Sequence, residues 1–412
     1  MKNLKKIRKR NLYACFTISL MYGFGEGGFF VILQPLLLEI TGLLFSVGVI
    51  MTIVSLVQVI LMPLIGKLMD RFGRKKLWLV ASPIIIFGCI LLIVAMSVIL
   101  AGVAVILIYI GGVIHTMSSL MIVSENSEDS KKGSNFSFRF FGGSGASILG
   151  FMLVLFNVSS DYKFYIWLFI VMNVFLWLVV FFALSPIKSD YIKERNSSNP
   201  IKENKMAKLF QNPKIRKIVI FFTLNWFFYG VTITIWNAWF VDTYGVSGRA
   251  LALFFIIVNT FRMIFQIPAG HIIDKIGKRK ALIISLISCI YSSICSLIVF
   301  FTWSSGFTSI LIPGYVFSVI FFAIYITLII PVESMYFTNL TENGKAESFG
   351  TVKLITDGAL IPTGVVGGSL ADFVHPIAPE IVHFGGFMVL LWFPVRYFND
   401  RKNQGVDESV IH

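Results

Sequence analysis

The chain has 412 residues, of which 56% are hydrophobic, 15% aromatic and only 14% charged, against about 25% charged in an ordinary soluble protein. A mean hydropathy of +0.82 excludes a water-soluble globule, and the length suffices for about a dozen bilayer spans of about 20 residues. The net charge of +14 would suggest nucleic acid on a soluble protein. Here it asks which side of a membrane the Lys and Arg occupy.

A basic start, Met1 to Arg10, runs into an apolar stretch that continues past Val31, which reads as an uncleaved first span rather than a leader. Apolar windows predict spans at 12–35, 43–65, 77–97, 100–123, 137–158, 164–184, 217–240, 250–270, 281–301, 309–332, 348–370 and 380–398. The runs are continuous rather than alternating, so the expected fold is an all-α membrane protein of twelve transmembrane helices, with both termini on one side. Cys15, Cys89, Cys289 and Cys295 lie inside these runs and read as small hydrophobes.

Counting cations by compartment places 30 Lys and Arg on the side of the N-terminus and only Lys163 and Arg249 on the other, with Arg139, Arg262 and Lys353 in or at the edge of spans. By the positive-inside rule both termini are cytoplasmic. The long polar stretch 185–216 divides the chain into an N-terminal six-helix half at 1–184 and a C-terminal half at 217–398, followed by a cytoplasmic tail at 399–412. The stretch reads as a solvated connector, with contact to anionic lipid as the alternative.

After the second span come Gly66, Asp70, Arg71, Gly73, Arg74, Lys75 and Lys76, and after the eighth Gly270, Asp274, Lys275, Gly277, Lys278, Arg279 and Lys280, at a constant offset of 204. Gln58 maps to Arg262 at the same offset. Phe136, Gly145 and Ala146 echo Phe349, Gly358 and Ala359 at an offset of 213. The pattern resembles the major facilitator superfamily, whose signature loop between spans 2 and 3 is G-x3-D-R/K-x-G-R/K-R/K, with a degenerate copy between spans 8 and 9. The resemblance covers essentially the whole chain. It implies a multi-pass, monomeric secondary transporter of the cytoplasmic membrane, with two six-helix pseudo-repeats rocking about a central site.

By that resemblance Gly66, Asp70, Arg71, Gly73 and Arg74, with Gly270, Asp274 and Gly277, form gating loops. Asp70 is expected to meet the N-terminal end of span 11 near Glu347 to Gly350, and Asp274 the start of span 5. Such a contact between a carboxylate and a helix end is worth about 0.3 to 1 kcal/mol, enough to bias two states without locking either. For the cations of the loop, a role as plain topology anchors is the alternative.

A charge at the bilayer centre costs at least about 2.5 to 3.5 kcal/mol on insertion scales, so ionisable residues inside spans are functional candidates. Glu26 is the clearest, poised in apolar surroundings to take and release a proton, or else the partner of a buried Arg. Gly23 and Gly27 beside it form a small-x3-small face for close helix contact. Arg262, Lys353 and Asp357 complete a candidate charge network, with Lys353 and Asp357 four residues apart and Arg262 pairing with Asp357 or Glu26. His115 either titrates or is a hydrogen-bonded core residue. The family arrangement, with spans 1, 4, 7 and 10 around the cavity, brings in Tyr22, Gln34, Tyr109, Asn225, Tyr229, Trp236 and Tyr325 as substrate-cavity residues.

The sequence departs from some subfamily patterns. Span 4 lacks the arginine common in proton-coupled drug exporters, and the glycine-rich stretch Phe141 to Gly150 lacks the proline of their antiporter motif. No sugar-transporter signature is present either. The expected function is transport of a small organic solute by alternating access, coupled to protons through Glu26 and Asp357, with efflux the favoured direction. A facilitator or an uptake symporter for a sugar or organic acid is the alternative, and a non-transporting membrane sensor of this fold a third reading. No catalytic constellation, metal site or cofactor is expected, and the partners are the solute, protons and membrane lipids, not nucleic acid.

Overall fold

The computed structural model describes residues 2–127, 132–156, 161–185, 213–338 and 354–398. Within them the regular structure is helical. The elements are α1 (Lys2–Thr41), α2 (Leu44–Phe72), α3 (Arg74–Ile93), α4 (Val98–Asn126), α5 (Lys132–Leu155), α6 (Tyr162–Ala183), α7 (Pro213–Ile233), α8 (Trp236–Tyr244), α9 (Gly248–Ile276), α10 (Lys278–Ser304), α11 (Leu311–Thr338), α12 (Thr363–Ser369) and α13 (Ala378–Tyr397). Among the described residues, eleven helical stretches are long and apolar enough to cross a bilayer. The apolar part of α5, Phe141–Leu155, is shorter. A broad exposed surface of large apolar side chains, including Phe87, Trp167, Phe182 and Trp392, fits a lipid environment in which the backbone is satisfied within helices.

Two predicted spans are not single helices. The seventh breaks between α7 and α8 at Thr234 and Ile235. The eleventh is helical at 354–358, turns at 359–362, resumes as α12 and ends in a wider π turn at Leu370–Val374. Pro362 sits at the N-cap of α12: it lacks an N–H and disfavours helical geometry in Ile361, so the chain restarts there. Residues 348–353 of that predicted span, Lys353 included, lie outside the described residues, as do the side chains of Asp70 and Asp274 and the segment 339–350 that Asp70 was expected to meet.

The two signature loops share one backbone geometry. Gly73 closes α2 at φ 89° and ψ 146°, and Gly277 closes α9 at φ 89° and ψ 154°. Positive φ explains why the motif needs glycine at these two positions. The cations that follow hold other helix ends. Lys75 donates to the carbonyls of Phe181 (2.8 Å) and Leu184 (2.6 Å) at the end of α6. Arg279, its match at the offset of 204, donates to Pro394 (2.8 Å) and Val395 (2.7 Å) at the end of α13. Both supply donors to terminal carbonyls that lack an intrahelical partner. Arg74 pairs with Glu125 of α4 at 2.6 Å. Gly66 is different: a Cβ there would meet nothing within 4 Å, so close packing does not demand glycine in this conformation.

Helix α1 packs on α5 through its small residues. A Cβ on Gly23 or Gly27 would collide with the backbone of Gly143 or Ser147, and one on Gly150 with the carbonyl of Phe24. The side-chain-free seam brings the two backbones into contact, as expected for small-x3-small pairs in lipid.

The buried apolar residues fall into three clusters. One joins α1 to α6 with α8, α9, α10 and α11, through Leu37, Leu44, Phe169, Trp239, Phe254 and Tyr315. The buried members of the second lie in α7, α9, α10, α11 and α13 with Phe398 just beyond it, and those of the third in α1, α2, α3, α4 and the end of α6. The shared cluster occupies the end of the bundle away from the N-terminus. Toward the N-terminal end each set of helices has its own core.

Hydrogen bonds between the sets mark the same joined end. Gln34 of α1 donates to Thr234 O at 3.0 Å. Its Oε1 accepts from Asn237 N at 2.9 Å and lies 3.4 Å from Ala238 N. Thr52 Oγ1 of α2 accepts from Val365 N at 3.0 Å, and Asp372 Oδ2 accepts from Phe45 N at 2.6 Å. In each case a side chain from one set satisfies first-turn N–H groups of a helix in the other, a capping function usually met locally. Gly48 of α2 and Gly364 of α12 meet backbone to backbone beside them.

Candidate functional site

Among the described residues, two cavities are lined by predicted site residues. The first, about 290 Å³, is lined by Tyr22, Glu26 and Phe30 of α1, Gln58 of α2, Tyr109 of α4 and Phe169 of α6, among others. Glu26 is half-buried and its open side faces this cavity. Tyr22 and Tyr109 are the neighbouring groups that feel its charge.

The cation within electrostatic reach of Glu26 is Arg139 of α5. The α1–α5 seam explains the pairing. Gly23 opposes Gly143 and Gly27 opposes Ser147, so in this parallel register Arg139 stands level with Ser19, about 10 Å along the axis from Glu26. A long side chain narrows that gap. Arg139 is 8% exposed and its Nε donates to Ser119 Oγ at 2.5 Å, which holds it inside the helix set rather than at the membrane edge. A charge pair in an apolar interior costs desolvation that only mutual attraction and hydrogen bonding offset, and removing one member strands the other.

His115 is buried against this site but does not face the cavity. Trp78 Nε1 donates to its Nδ1 at 2.9 Å and Tyr22 stacks on its ring at 4.0 Å. An Nδ1 that accepts a hydrogen bond leaves the proton of the neutral ring on Nε2. The residue positions Tyr22, one turn from Glu26.

The second cavity, about 60 Å³, is lined by Tyr229, Thr232 and Trp236, by Ser292, Ser296 and Ser318, by Phe254 and Phe255, and by Glu380 and His383. Arg262 of α9 lies near Tyr229 on this side. Phe30 of the first cavity and Phe255 of the second pack edge to face at 5.3 Å, so an aromatic wall separates the two spaces. Asp357 is half-buried at the break in the eleventh span.

Three residues expected in the substrate cavity lie elsewhere. Gln34 is 5% exposed and caps α8. Asn225 and Tyr325, both 0% exposed, hydrogen-bond each other at 3.0 Å between α7 and α11. Their polar atoms are consumed by helix contacts, which helical spacing alone does not distinguish from a lumen-facing stripe. Tyr22, Tyr109, Tyr229 and Trp236 do line the cavities.

Sequence reasoning missed Arg139, Glu380, His383 and Glu333. Glu333 is 2% exposed and accepts from Trp226 Nε1 at 2.7 Å. All four fall within three residues of a predicted span end, where a polar group is ordinarily solvated. The signal for the second cavity is the serine stripe at 285, 288, 292 and 296 of α10, which runs at helical spacing on one face.

These features agree with the comparisons. The sequence matches the Major Facilitator Superfamily over residues 15–352. Curated proteins yield no match. Among solved structures, the nucleoside transporter NupG in a mutant form superimposes with a TM-score of 0.76 at 13% identity, covering 94% of this chain and 100% of that one. A D-xylose-proton symporter gives 0.72 at 16% identity, covering 96% and 99%. The human organic anion transporter MFSD10 gives 0.62 at 13%, covering 94% and 99%. At these identities the structural likeness is one of fold. Profile, helical architecture and paired signature loops together show that the chain belongs to the Major Facilitator Superfamily.

Proposed function

We propose that the protein is a secondary transporter of a small organic solute, working by alternating access between 1–184 and 217–398 and coupled to protons through Glu26 and its counter-charge Arg139. The observation that carries the reading is the carboxylate of Glu26 on the wall of a cavity of about 290 Å³, deep in an apolar helix set and opposed by a buried guanidinium. Protonation of Glu26 changes the charge of that wall, and so the relative stability of conformations that expose it differently.

The shared core at one end and separate cores at the other support the rocking motion. With the N-terminus cytoplasmic, as the 30 to 2 charge asymmetry indicates, this conformation is closed toward the outside. Aromatic walls bearing a few hydroxyl, amide and carboxylate groups suit a solute with a flat apolar face and a hydrogen-bonding edge. In the efflux direction, solute leaves as a proton enters. Asp357, at the broken eleventh span, is a second coupling group, and the protein functions as a monomer in the cell membrane.

The test is flux in proteoliposomes. Purified protein is screened by thermal shift against a solute panel, since a ligand that binds the folded state raises its stability by mass action. Flux of the best binder is then measured under imposed pH gradients of either sign. Acceleration by one sign supports coupling and gives its direction; indifference to both contradicts it.

A further inference from the structure

Pro83 lies inside α3, and its ring nitrogen carries no hydrogen to donate to Leu79 O, one turn earlier. In lipid, a carbonyl freed in this way finds no water. Trp177 of α6 supplies the missing donor, its Nε1 lying 3.0 Å from Leu79 O. The indole thus ties the two helices together on the side where they face the bilayer.

Beside this tie, α3 and α6 leave a groove of about 350 Å³, lined by Pro83, Ile86, Phe87 and Ile90 of α3 and by Val174 and Trp177 of α6. The lining is apolar apart from the indole N–H, which the bond to Leu79 consumes. Phe87, Ile90 and Val174 are 56%, 44% and 43% exposed, so the groove opens outward, and it shares no lining residue with either cavity described above. A water held there would lack polar partners, and an empty groove would forfeit dispersion contacts along its walls. Hydrocarbon fits it.

Toward the N-terminal side the groove leads to cations. Trp177 stacks on Phe181 with ring centroids 5.7 Å apart, and Lys75 Nζ lies 5.9 Å from the Phe181 centroid. Lys75 spends two donors on the carbonyls of Phe181 and Leu184, and an ammonium group has a third. Lys76 beside it is exposed, and Arg10 of α1 stands within electrostatic reach of Lys75. Arg74 differs from these, because it is paired with Glu125.

The spacing along α3 matches the depth of one leaflet. Pro83 is eight residues beyond Lys75 and Ile90 fifteen, or about 12 and 22 Å along a helix. Half of a bilayer, headgroups included, is about 20–22 Å. A lipid whose phosphate meets the cations therefore brings the lower half of an acyl chain level with the groove.

We propose that the groove between α3 and α6 is a binding site for an anionic phospholipid of the leaflet on the N-terminal side, with one acyl chain along Pro83, Phe87 and Val174 and the phosphate at Lys75, Lys76 and Arg10. The cations select the headgroup, and the groove holds the chain. Occupancy stabilises the first helix set by mass action. The site rests on the membrane-spanning arrangement of the helices and is independent of the solute and of proton coupling.

The experiment is fluorescence quenching of the full-length purified protein in detergent micelles, titrated with phosphatidylglycerol brominated midway along its acyl chains and, separately, with phosphatidylcholine carrying the same chains. Tryptophan emission should fall saturably, with half-quenching at a mole fraction of phosphatidylglycerol roughly fivefold lower, the worth of one cation near an anionic surface. Trp177→Phe should remove most of the saturable component. Val174→Phe, which fills the groove from its open side, should abolish saturation, and Lys76→Gln should shrink the headgroup preference. Trp177→Phe also strands Leu79 O; if it does not fold, native mass spectrometry of Val174→Phe decides, with one fewer phosphatidylglycerol retained than by the parent. Quenching that rises without saturation and equally for both headgroups, or saturable quenching and lipid retention unaltered in Val174→Phe, overturns the site. Solute flux enters none of these readouts, so failure here leaves the function proposed above standing.

Discussion

Gln34 Oε1, on α1, accepts the backbone N–H of Asn237 at 2.9 Å, across 203 residues of sequence. One amide thereby caps α8 and ties the first helix set to the break in the seventh span. The cap exists only while the two sets are joined at that end, because its donor and acceptor belong to different sets. With Thr52 on Val365 and Asp372 on Phe45, it makes closure a matter of satisfying helix ends rather than of pairing charges.

Gln34→Ala should therefore weaken the closed end specifically. Loss of a cap costs about 0.5–2 kcal/mol, so the balance between conformations should move toward the state open at that end. Spin-label distances between the outer ends of α1 and α8 should lengthen in the variant. Asp372→Asn should have a smaller effect in the same direction, since the amide oxygen still accepts from Phe45.

Arg139→Gln should damage the protein more than the double variant with Glu26→Gln. Removing one of two opposite charges in an apolar helix set leaves the other uncompensated, whereas removing both costs less. A double-mutant cycle on thermal unfolding measures the coupling. Additive effects would show that Glu26 and Arg139 do not interact.

The glycines separate into two classes. Gly23→Leu and Gly27→Leu should abolish folded protein, judged by monodisperse elution in detergent, because any side chain at these points meets the backbone of α5. Gly66→Ala should leave thermal stability unchanged within about 0.5 kcal/mol, since the space around it is open in this conformation.

Lys75→Met and Arg279→Met should each cost about 0.3–1 kcal/mol, the worth of a cation at a helix C-terminus. The two sites lie in different helix sets, so the losses should add. Thermal unfolding of the single and double variants checks both statements.

Much of this organisation was legible in the amino-acid sequence, and the reasons for the rest are physical. Continuous apolar runs reveal helices because a bilayer imposes length and hydropathy together, and the offset of 204 locates two loops whose glycines share one positive-φ conformation. Glu26 stands out because a charge amid so many apolar residues needs a purpose. Gln34 misleads: an amide in the first span looks the same in sequence whether it faces a solute or a helix end, and only the break at Thr234 decides. Arg139 and Glu380 escape notice because they lie near predicted span ends, where charges are ordinarily solvated. The serine stripe of α10 is apparent from spacing, but not its alignment with Ser318 of α11, which depends on tertiary packing.

The most direct test of the account is solute flux in proteoliposomes carrying Glu26→Gln. The account predicts that a pH gradient no longer drives accumulation or release, while solute counterflow at equal pH persists, because the cavity and the rocking motion survive without the titrating carboxylate. Flux that follows the pH gradient as strongly in Glu26→Gln as in the parent protein would contradict it.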